Sequence, residues 1–103
     1  MTESEFHGAV DAVLARIEAS LENEEALDVD LEGSILTISG GDGAKVIVNR
    51  QAPNREIWVA ARSGGFHFRW RDGEWRDTRS NDELFASLAR IIESQWGSKA
   101  RWK

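Results

Sequence analysis

The hydrophobic positions of this chain change their spacing twice along its length. From Phe6 to Leu21 they recur at steps of three and four residues, which is typical of an amphipathic α-helix. From Leu27 onwards they alternate with polar residues in short runs separated by turn sequences, which indicates β-strands. Between Leu84 and Ile92 the steps of three and four return and predict a second helix.

Capping and turn residues give the bounds of these elements. Thr2 and Glu5 have capping-box spacing at the start of the first helix, and Ser80 and Glu83 repeat this spacing before the second. Gly97 suits the C-terminal cap of the second helix. The predicted strands cover residues 27–32, 34–39, 44–49, 56–61, 66–70 and 74–77.

The order of these elements predicts the fold class. No segment long enough for a crossover helix separates consecutive strands, so the sheet is predicted to be an antiparallel meander. We expect an α+β fold, a two-layer α-β sandwich with the N- and C-terminal helices on one face of a roughly six-stranded antiparallel sheet. Residues 1–103 should form a single domain in which the basic stretch 98–103 is a mobile tail.

Charge is distributed very unevenly. Residues 1–42 contain eleven acids and one base, a charge of −10, whereas residues 43–103 contain seven acids and twelve bases, a charge of +5. Seven carboxylates lie within residues 18–32, which contain no Lys or Arg: Glu18, Glu22, Glu24, Glu25, Asp28, Asp30 and Glu32. Because neighbouring carboxylates repel, we interpret this stretch as a functional surface. The alternative is a solvated acidic face, which on an outer strand also discourages aggregation.

Carboxylate oxygens are hard ligands for Ca²⁺, Mg²⁺, Mn²⁺ and iron. Asp28-x-Asp30-x-Glu32-Gly33 resembles the start of a calcium-binding loop, but the twelfth position is Ser39 rather than Glu. The intervening residues also have the alternation of a strand, so no EF-hand is predicted. We expect an open row of carboxylates that binds cations loosely.

Other kinds of chemistry find little support in the sequence. The chain has no cysteine, which excludes disulfides and thiolate catalysis and makes a reducing cytoplasm the expected compartment. It contains no Ser/His/Asp arrangement and no phosphate-binding glycine loop, so we expect no catalytic residues and no enzyme. No apolar run approaches the ~20 residues that span a membrane. Arginines interleave with aromatic residues in 62–79, but the net charge is −5 and no RNA-recognition signature is present, so nucleic-acid binding is not expected.

Trp58 is a second candidate for function. It alternates with Ile57 and Val59, so it points away from the helices if that aliphatic pair faces them. Asn49 and Gln51 lie nearby in the sequence, and a large aromatic side chain among polar ones is a candidate anchor for a partner. The alternative is that Trp58 merely covers the sheet.

Taken together, the residues resemble the frataxin family, and most closely its bacterial members. The resemblance covers nearly the whole chain, and the run from Asn49 to Phe68 is its most specific part. It is carried by Ser4-Glu5-Phe6-His7, the acidic stretch, Leu36-Thr37-Ile38, Val48-Asn49-Arg50-Gln51, Pro53, Ile57-Trp58, Gly64-Gly65-Phe66-His67-Phe68 and Gly73-Glu74-Trp75. The fold that it implies, a frataxin-like sandwich, matches the one derived above.

The resemblance implies an iron-binding regulatory protein of iron–sulfur cluster assembly. Fe²⁺ and Fe³⁺ would bind weakly and reversibly on the seven carboxylates, and the protein would modulate a cysteine desulfurase, with the cluster scaffold protein as a second candidate partner. The implied partner surface comprises Glu18, Glu22, Asp30, Asn49, Gln51 and Trp58. We expect a monomer, and the sequence leaves undecided whether iron causes it to form oligomers. The alternative function is an acidic protein-binding adaptor whose metal binding is incidental.

Overall fold

The computed structural model describes residues 1–103 and contains two α-helices, six β-strands and one short 3-10 turn. The helices are α1 (Glu3–Leu21) and α2 (Leu84–Trp96). The strands are β1 (Leu27–Glu32), β2 (Ile35–Gly40), β3 (Lys45–Gln51), β4 (Glu56–Ala61), β5 (Gly64–Arg71) and β6 (Glu74–Asp77), with the 3-10 turn Ala52–Asn54 between β3 and β4. Neither helix is both long enough and apolar enough to cross a membrane.

The six strands form one antiparallel sheet in the order β1-β2-β3-β4-β5-β6, which confirms the predicted meander. Each strand pairs with the next one along the chain, so that Val48 of β3 lies opposite Val59 of β4, and Ile57 of β4 lies opposite Phe68 of β5. Two strands are longer than predicted: β3 ends at Gln51 rather than Asn49, and β5 begins at Gly64 rather than Phe66. The apolar pattern could not show the extension at the start of β5 because it consists of two glycines.

Both helices lie on one face of the sheet, and the core fills the space between the two layers. Twenty buried hydrophobic residues form a single cluster that draws on both helices and all six strands. Phe6, Val10 and Ile17 of α1 are completely buried, as are Ile57 and Phe68 of the sheet. Burying a large aliphatic or aromatic side chain contributes roughly 1.5–3 kcal/mol, so this cluster is the main source of stability. The opposite face of the sheet carries no helix, and we call it the open face.

The caps of the helices agree with the sequence at α1 and differ at α2. The Thr2 hydroxyl accepts a bond from the N–H of Glu5, and the Glu5 carboxylate accepts one from the N–H of Thr2, which confirms the capping box. For α2 the prediction was wrong, because Glu83 is itself the N-cap and its carboxylate accepts bonds from two N–H groups of the first turn. Ser80 belongs to the preceding turn, where its hydroxyl accepts a bond from Asp82. The C-terminal cap at Gly97, which has a φ of 74°, is confirmed.

The end of α2 rests on the turn between β2 and β3. The indole N–H of Trp96 donates to the Asp42 carboxylate at 3.1 Å. A Cβ atom at Gly40 would lie 2.1 Å from that indole nitrogen, so only glycine leaves room for the ring at this point.

The C-terminal tail, residues 98–103, follows α2 and packs back towards α1. The ring of Trp102 packs edge-on against Phe85, and its N–H donates to the Phe85 carbonyl at 2.9 Å. The backbone N–H of Lys103 donates to the Ser20 hydroxyl, and Arg16 donates to the Lys103 carbonyl. Because Trp102 belongs to no periodic pattern, these contacts could not be predicted from the sequence.

Candidate functional site: the acidic ridge and the open face

The seven carboxylates of residues 18–32 lie along the junction of α1 and β1, and we call them the acidic ridge. The helix ends at Leu21, and two turns follow, in which Glu24 donates to the Leu21 carbonyl and Leu27 to the Glu24 carbonyl. This short connection places β1 directly beside the end of α1. The side chains of Asp28, Asp30 and Glu32 are exposed on the open face of β1, because Leu27 and its alternate neighbours turn towards the core.

The acidic ridge has almost no basic partners. Lys103 lies 3.9 Å from Glu22, and no Lys or Arg side chain comes within 4.0 Å of the other six carboxylates. Glu18 and Glu24 are half-buried and the other five are exposed. The negative charge of the ridge is therefore balanced mainly by solvent and salt, which leaves it available to a cation or a basic surface.

The ridge carboxylates are spread out rather than gathered around one point. No group of three or more histidine or acidic side chains in the structure is placed to hold a metal ion. A cation on this surface would therefore meet one or two carboxylates at a time and keep most of its water ligands.

The residues predicted around Trp58 meet on the open face in a row across three strands. In the register of the sheet, Asn49 of β3 lies opposite Trp58, and His67 of β5 lies opposite Trp58 on its other side. The rings of Trp58 and His67 are stacked, with 4.2 Å between their centroids and an angle of 9° between their planes. Trp58 is half-buried, so the stack holds it in place while one part stays open to solvent.

A buried carboxylate that the sequence reasoning missed lies beneath this row. Glu56 is 4% exposed and accepts bonds from the Trp58 indole at 2.8 Å and from the Arg69 guanidinium at 2.6 Å. It lies opposite Gln51 of β3 and Arg69 of β5. Glu56 and Trp58 are two residues apart on one strand, so the sequence predicts that they share a face. The pairing of Glu56 with Arg69 depends on a strand register that the sequence does not reveal.

The open face carries acidic side chains on the edge strand β1 and basic ones on β5, the strand next to the opposite edge. Asp28, Asp30 and Glu32 line the β1 edge, while Arg69 and Arg71 lie on β5. A partner with the reverse distribution of charge would therefore be oriented as it approaches this face.

The structure brings together only some of the residues predicted to bind a partner. Asp30, Asn49, Gln51 and Trp58 share the open face, on strands β1, β3 and β4. Glu18 of α1 and Glu22, the C-cap residue of that helix, lie instead on the helix side of the sheet, next to the β1 edge. A partner that contacts all six would have to wrap around this edge.

Two carboxylates outside the ridge have lowered pKa values. Hydrogen bonds from the N–H and the hydroxyl of Thr2 lower the pKa of Glu5 below its ordinary value. The pKa of Asp42 is lowered by the N–H of Ala44 and then by the Trp96 indole. Both carboxylates serve local structure, one at a helix cap and one at a turn.

This fold, with its two helices on a six-stranded meander and a charged junction of α1 and β1, defines a known class of protein. The family model of the frataxin-like domain matches residues 1–98. The chain belongs to the frataxin-like family, as its resemblance to that family predicts.

Several proteins are similar to this chain over nearly its whole length. The iron–sulfur cluster assembly protein CyaY of Ralstonia nicotianae is 49% identical, covering 92% of this chain and 88% of the relative. The CyaY of Paraburkholderia phymatum is 48% identical, covering 94% and 93%. The solved frataxin of Psychromonas ingrahamii superposes with a TM-score of 0.90 at 34% identity, covering 97% of this chain and 96% of that one. A trimeric yeast frataxin, from Saccharomyces cerevisiae and complexed with ferrous iron, has a TM-score of 0.71 at 26% identity, covering 95% and 88%.

Proposed function

We propose that this protein is an iron-binding regulator of iron–sulfur cluster assembly that acts without catalysing a reaction itself. Its bacterial relatives are named as cluster assembly proteins, and a structural neighbour is complexed with ferrous iron. The observation that carries the proposal is the acidic ridge, in which six of the seven carboxylates have no basic partner.

In this proposal Fe²⁺ and Fe³⁺ are cargo that binds weakly and reversibly on the ridge. Carboxylate oxygens suit both ions, and the spread of Glu18, Glu22, Glu24, Glu25, Asp28, Asp30 and Glu32 gives several shallow positions rather than one enclosed site. Iron bound in this way keeps water ligands and exchanges quickly, which suits delivery or sensing better than storage.

The proposed protein partner is a cysteine desulfurase, whose activity the chain would modulate in the cytoplasm. A basic patch on the desulfurase would meet Glu18, Glu22 and Asp30, and the encounter would weaken as salt rises. Trp58 would then be the aromatic anchor, because the stack on His67 and the bond to Glu56 hold its ring in one orientation. Asn49 and Gln51, which lie beside Trp58, would complete the contact with the desulfurase. The cluster scaffold protein is the second candidate partner for the same face.

The test is a binding titration of the desulfurase at low salt with three proteins. They are the wild type, a ridge variant (Glu18→Gln, Glu22→Gln, Asp30→Asn) and a control variant with the same change of charge elsewhere (Glu3→Gln, Asp72→Asn, Glu93→Gln). We expect the ridge variant to bind at least about tenfold more weakly, and the control to lose far less. Equal affinities for the wild type and the ridge variant would refute docking through the ridge.

The second candidate function is an acidic adaptor that binds proteins and holds metal only incidentally. It is favoured by the absence of any converging group of three ligands on the ridge. An anaerobic Fe²⁺ titration of the ¹⁵N-labelled protein separates the two candidates, because bound Fe²⁺ broadens nearby amide signals. Selective broadening around Glu22 and Asp28 at modest iron excess supports the iron regulator. Desulfurase binding without such broadening supports the adaptor.

The proposal also includes a monomeric state and a coupling between iron and partner. Two solved yeast frataxins are trimeric, so sedimentation of this protein with and without iron tests whether iron assembles it.

If one ridge serves both ligands, iron must change the affinity for the desulfurase, and the desulfurase must change the affinity for iron by the same factor.

A further inference from the structure

A cavity of about 420 Å³ lies at the other edge of the sheet from the ridge. There β6 ends at Asp77, opposite Phe68, so the first residues of β5 have no β6 neighbour. The cavity is bounded by the β4–β5 turn, the loop between β6 and α2, and one side of α2. We call it the edge notch. Its lining includes Ser63, Phe66, Arg79, Arg90, Ile91 and Ser94.

The edge notch exposes the unpaired edge of a strand. The pairing of β5 with β6 begins at Phe68, so residues Gly64–His67 have a strand neighbour on one side only. On the free side the His67 carbonyl accepts one bond, from the N–H of Thr78 at 2.9 Å. Because the backbone groups of an antiparallel strand alternate in direction, the N–H groups of His67 and Gly65 also point to this side. No loop backbone or side chain bonds to either N–H.

The charged side chains of the edge notch are two arginines and two carboxylates, Asp77 and Asp82, and most of them already have partners. One Asp77 oxygen already accepts bonds from the N–H groups of Arg79 and Ser80. Asp82 is paired with Arg90 at 3.1 Å, an exposed pair that a ligand can replace at little cost. The Arg79 guanidinium has no carboxylate oxygen within 4.0 Å, and only the backbone N–H of Arg79 bonds to Asp77. The lining therefore offers the unpaired Arg79 guanidinium and two free backbone N–H groups, together with the Arg90 guanidinium, which an oxyanion would share with Asp82.

We propose that the edge notch binds a small organic oxyanion, a carboxylate or a phosphate ester. The guanidinium groups of Arg79 and Arg90 match the planar geometry of such oxygens, and the backbone N–H groups supply further donors. The cavity volume lies within the range of roughly 300–1,000 Å³ that is usual for small-ligand sites. The half-buried Phe66 and the buried Ile91 give the floor an apolar part that would take the carbon skeleton.

The test is a chemical-shift titration of the ¹⁵N-labelled protein with citrate and, separately, with glycerol 3-phosphate. Sodium chloride keeps the ionic strength constant. We expect the amide signals of Gly65, His67 and Arg79 to shift in a saturable way with at least one of the two ligands. Saturation with citrate alone identifies a carboxylate site, and saturation with glycerol 3-phosphate identifies a phosphate-ester site. Shifts that do not saturate with either ligand, or that only follow ionic strength, overturn the proposal.

Variants connect the binding to the edge notch. Arg79→Gln should weaken the titrated affinity by at least about fivefold, and Arg90→Gln should do the same. The control is Arg71→Gln, which makes the same change of charge on β5 away from the notch and should change the affinity by less than about twofold. An equal loss in the control and in Arg79→Gln would overturn the proposal. Arg79 has no side-chain partner, so that variant is expected to keep the fold, and a thermal melt checks it.

Discussion

Carboxylates occupy two contrasting settings in this protein, the acidic ridge and the buried position of Glu56. The ridge holds seven carboxylates, most of them exposed, and a base lies close to only one of them. Glu56 is buried under the open face and bonds to both Trp58 and Arg69. The comparison teaches that charge alone does not mark a structural role. Where a carboxylate has fixed donors it holds the fold together, and where it has none it is free to bind something else.

The largest expected effect comes from removing the partnered carboxylate. Glu56→Ala should lower the free energy of unfolding by about 2–3 kcal/mol, because the Trp58 N–H loses its buried acceptor and the Arg69 guanidinium loses its ion pair. Chemical denaturation measures this change. Glu32→Ala, on the same face within the ridge, is the matched control and should cost no more than about 0.5 kcal/mol. Similar losses in the two variants would contradict the distinction between the two settings.

The next largest effect concerns the tail that brings the single base to the ridge. Trp102→Ala should lower the free energy of unfolding by about 1–2 kcal/mol, since it removes the contact with Phe85 and the bond to the Phe85 carbonyl. Trp102→Phe keeps a ring without the N–H and should lose less. The heteronuclear NOE of residues 98–103 measures the mobility of the tail directly. Low NOE values together with unchanged stability in Trp102→Ala would show that the tail is free in solution.

Neutralising the ridge should have a smaller effect of opposite sign. The combined change Glu25→Gln, Asp28→Asn and Glu32→Gln removes repulsion without removing any bond. It should therefore raise the free energy of unfolding by up to about 1 kcal/mol. Moderate salt, or a divalent cation, should raise the melting temperature of the wild type and raise that of the variant less. A lower stability in the variant would mean that these side chains have partners in solution.

The sequence predicted the fold well because hydrophobic periodicity and turn residues act locally. The alternation in β1 and the glycine-rich turn before β3 were enough to place most of the strands, and the meander followed from the short connections. Local spacing was not enough at α2, where Ser80 and Glu83 have the same capping-box spacing as Thr2 and Glu5 of α1. In the structure the N–H of Ser80 bonds to the Asp77 carboxylate in the preceding turn, and Glu83 is the N-cap of α2.

The candidate site could be predicted only where it depends on composition. The ridge is visible in the sequence because its carboxylates are neighbours along the chain. The bond of Glu56 to Arg69, the stack of Trp58 on His67 and the docking of Trp102 join residues that meet only after strands and helices have paired. A single sequence does not reveal the register of strand pairing, so such contacts cannot be predicted from local patterns.

The smallest expected effect, on the pH dependence of stability, compares a partnered carboxylate at the start of α1 with the ridge at its end. Hydrogen bonds from Thr2 lower the pKa of Glu5 in the folded protein below its ordinary value of 4.5. A carboxylate with a lowered folded pKa stabilises the fold above the unfolded pKa, and this contribution is lost as pH falls through the folded pKa. Glu5→Gln should therefore be less stable than the wild type at about pH 6, and the difference should shrink towards about pH 3.

Urea denaturation of both proteins at each pH measures this difference. Every other carboxylate is present in both proteins, so its titration cancels when the two free energies are subtracted. What is left is the titration of Glu5 against its bonds to Thr2. A difference that stays constant from about pH 6 to about pH 3 would show that the charge of Glu5 adds nothing to the cap. A protonated Glu5 would then hold the cap as well as a charged one, and the contrast between partnered and free carboxylates would not extend to this end of the helix.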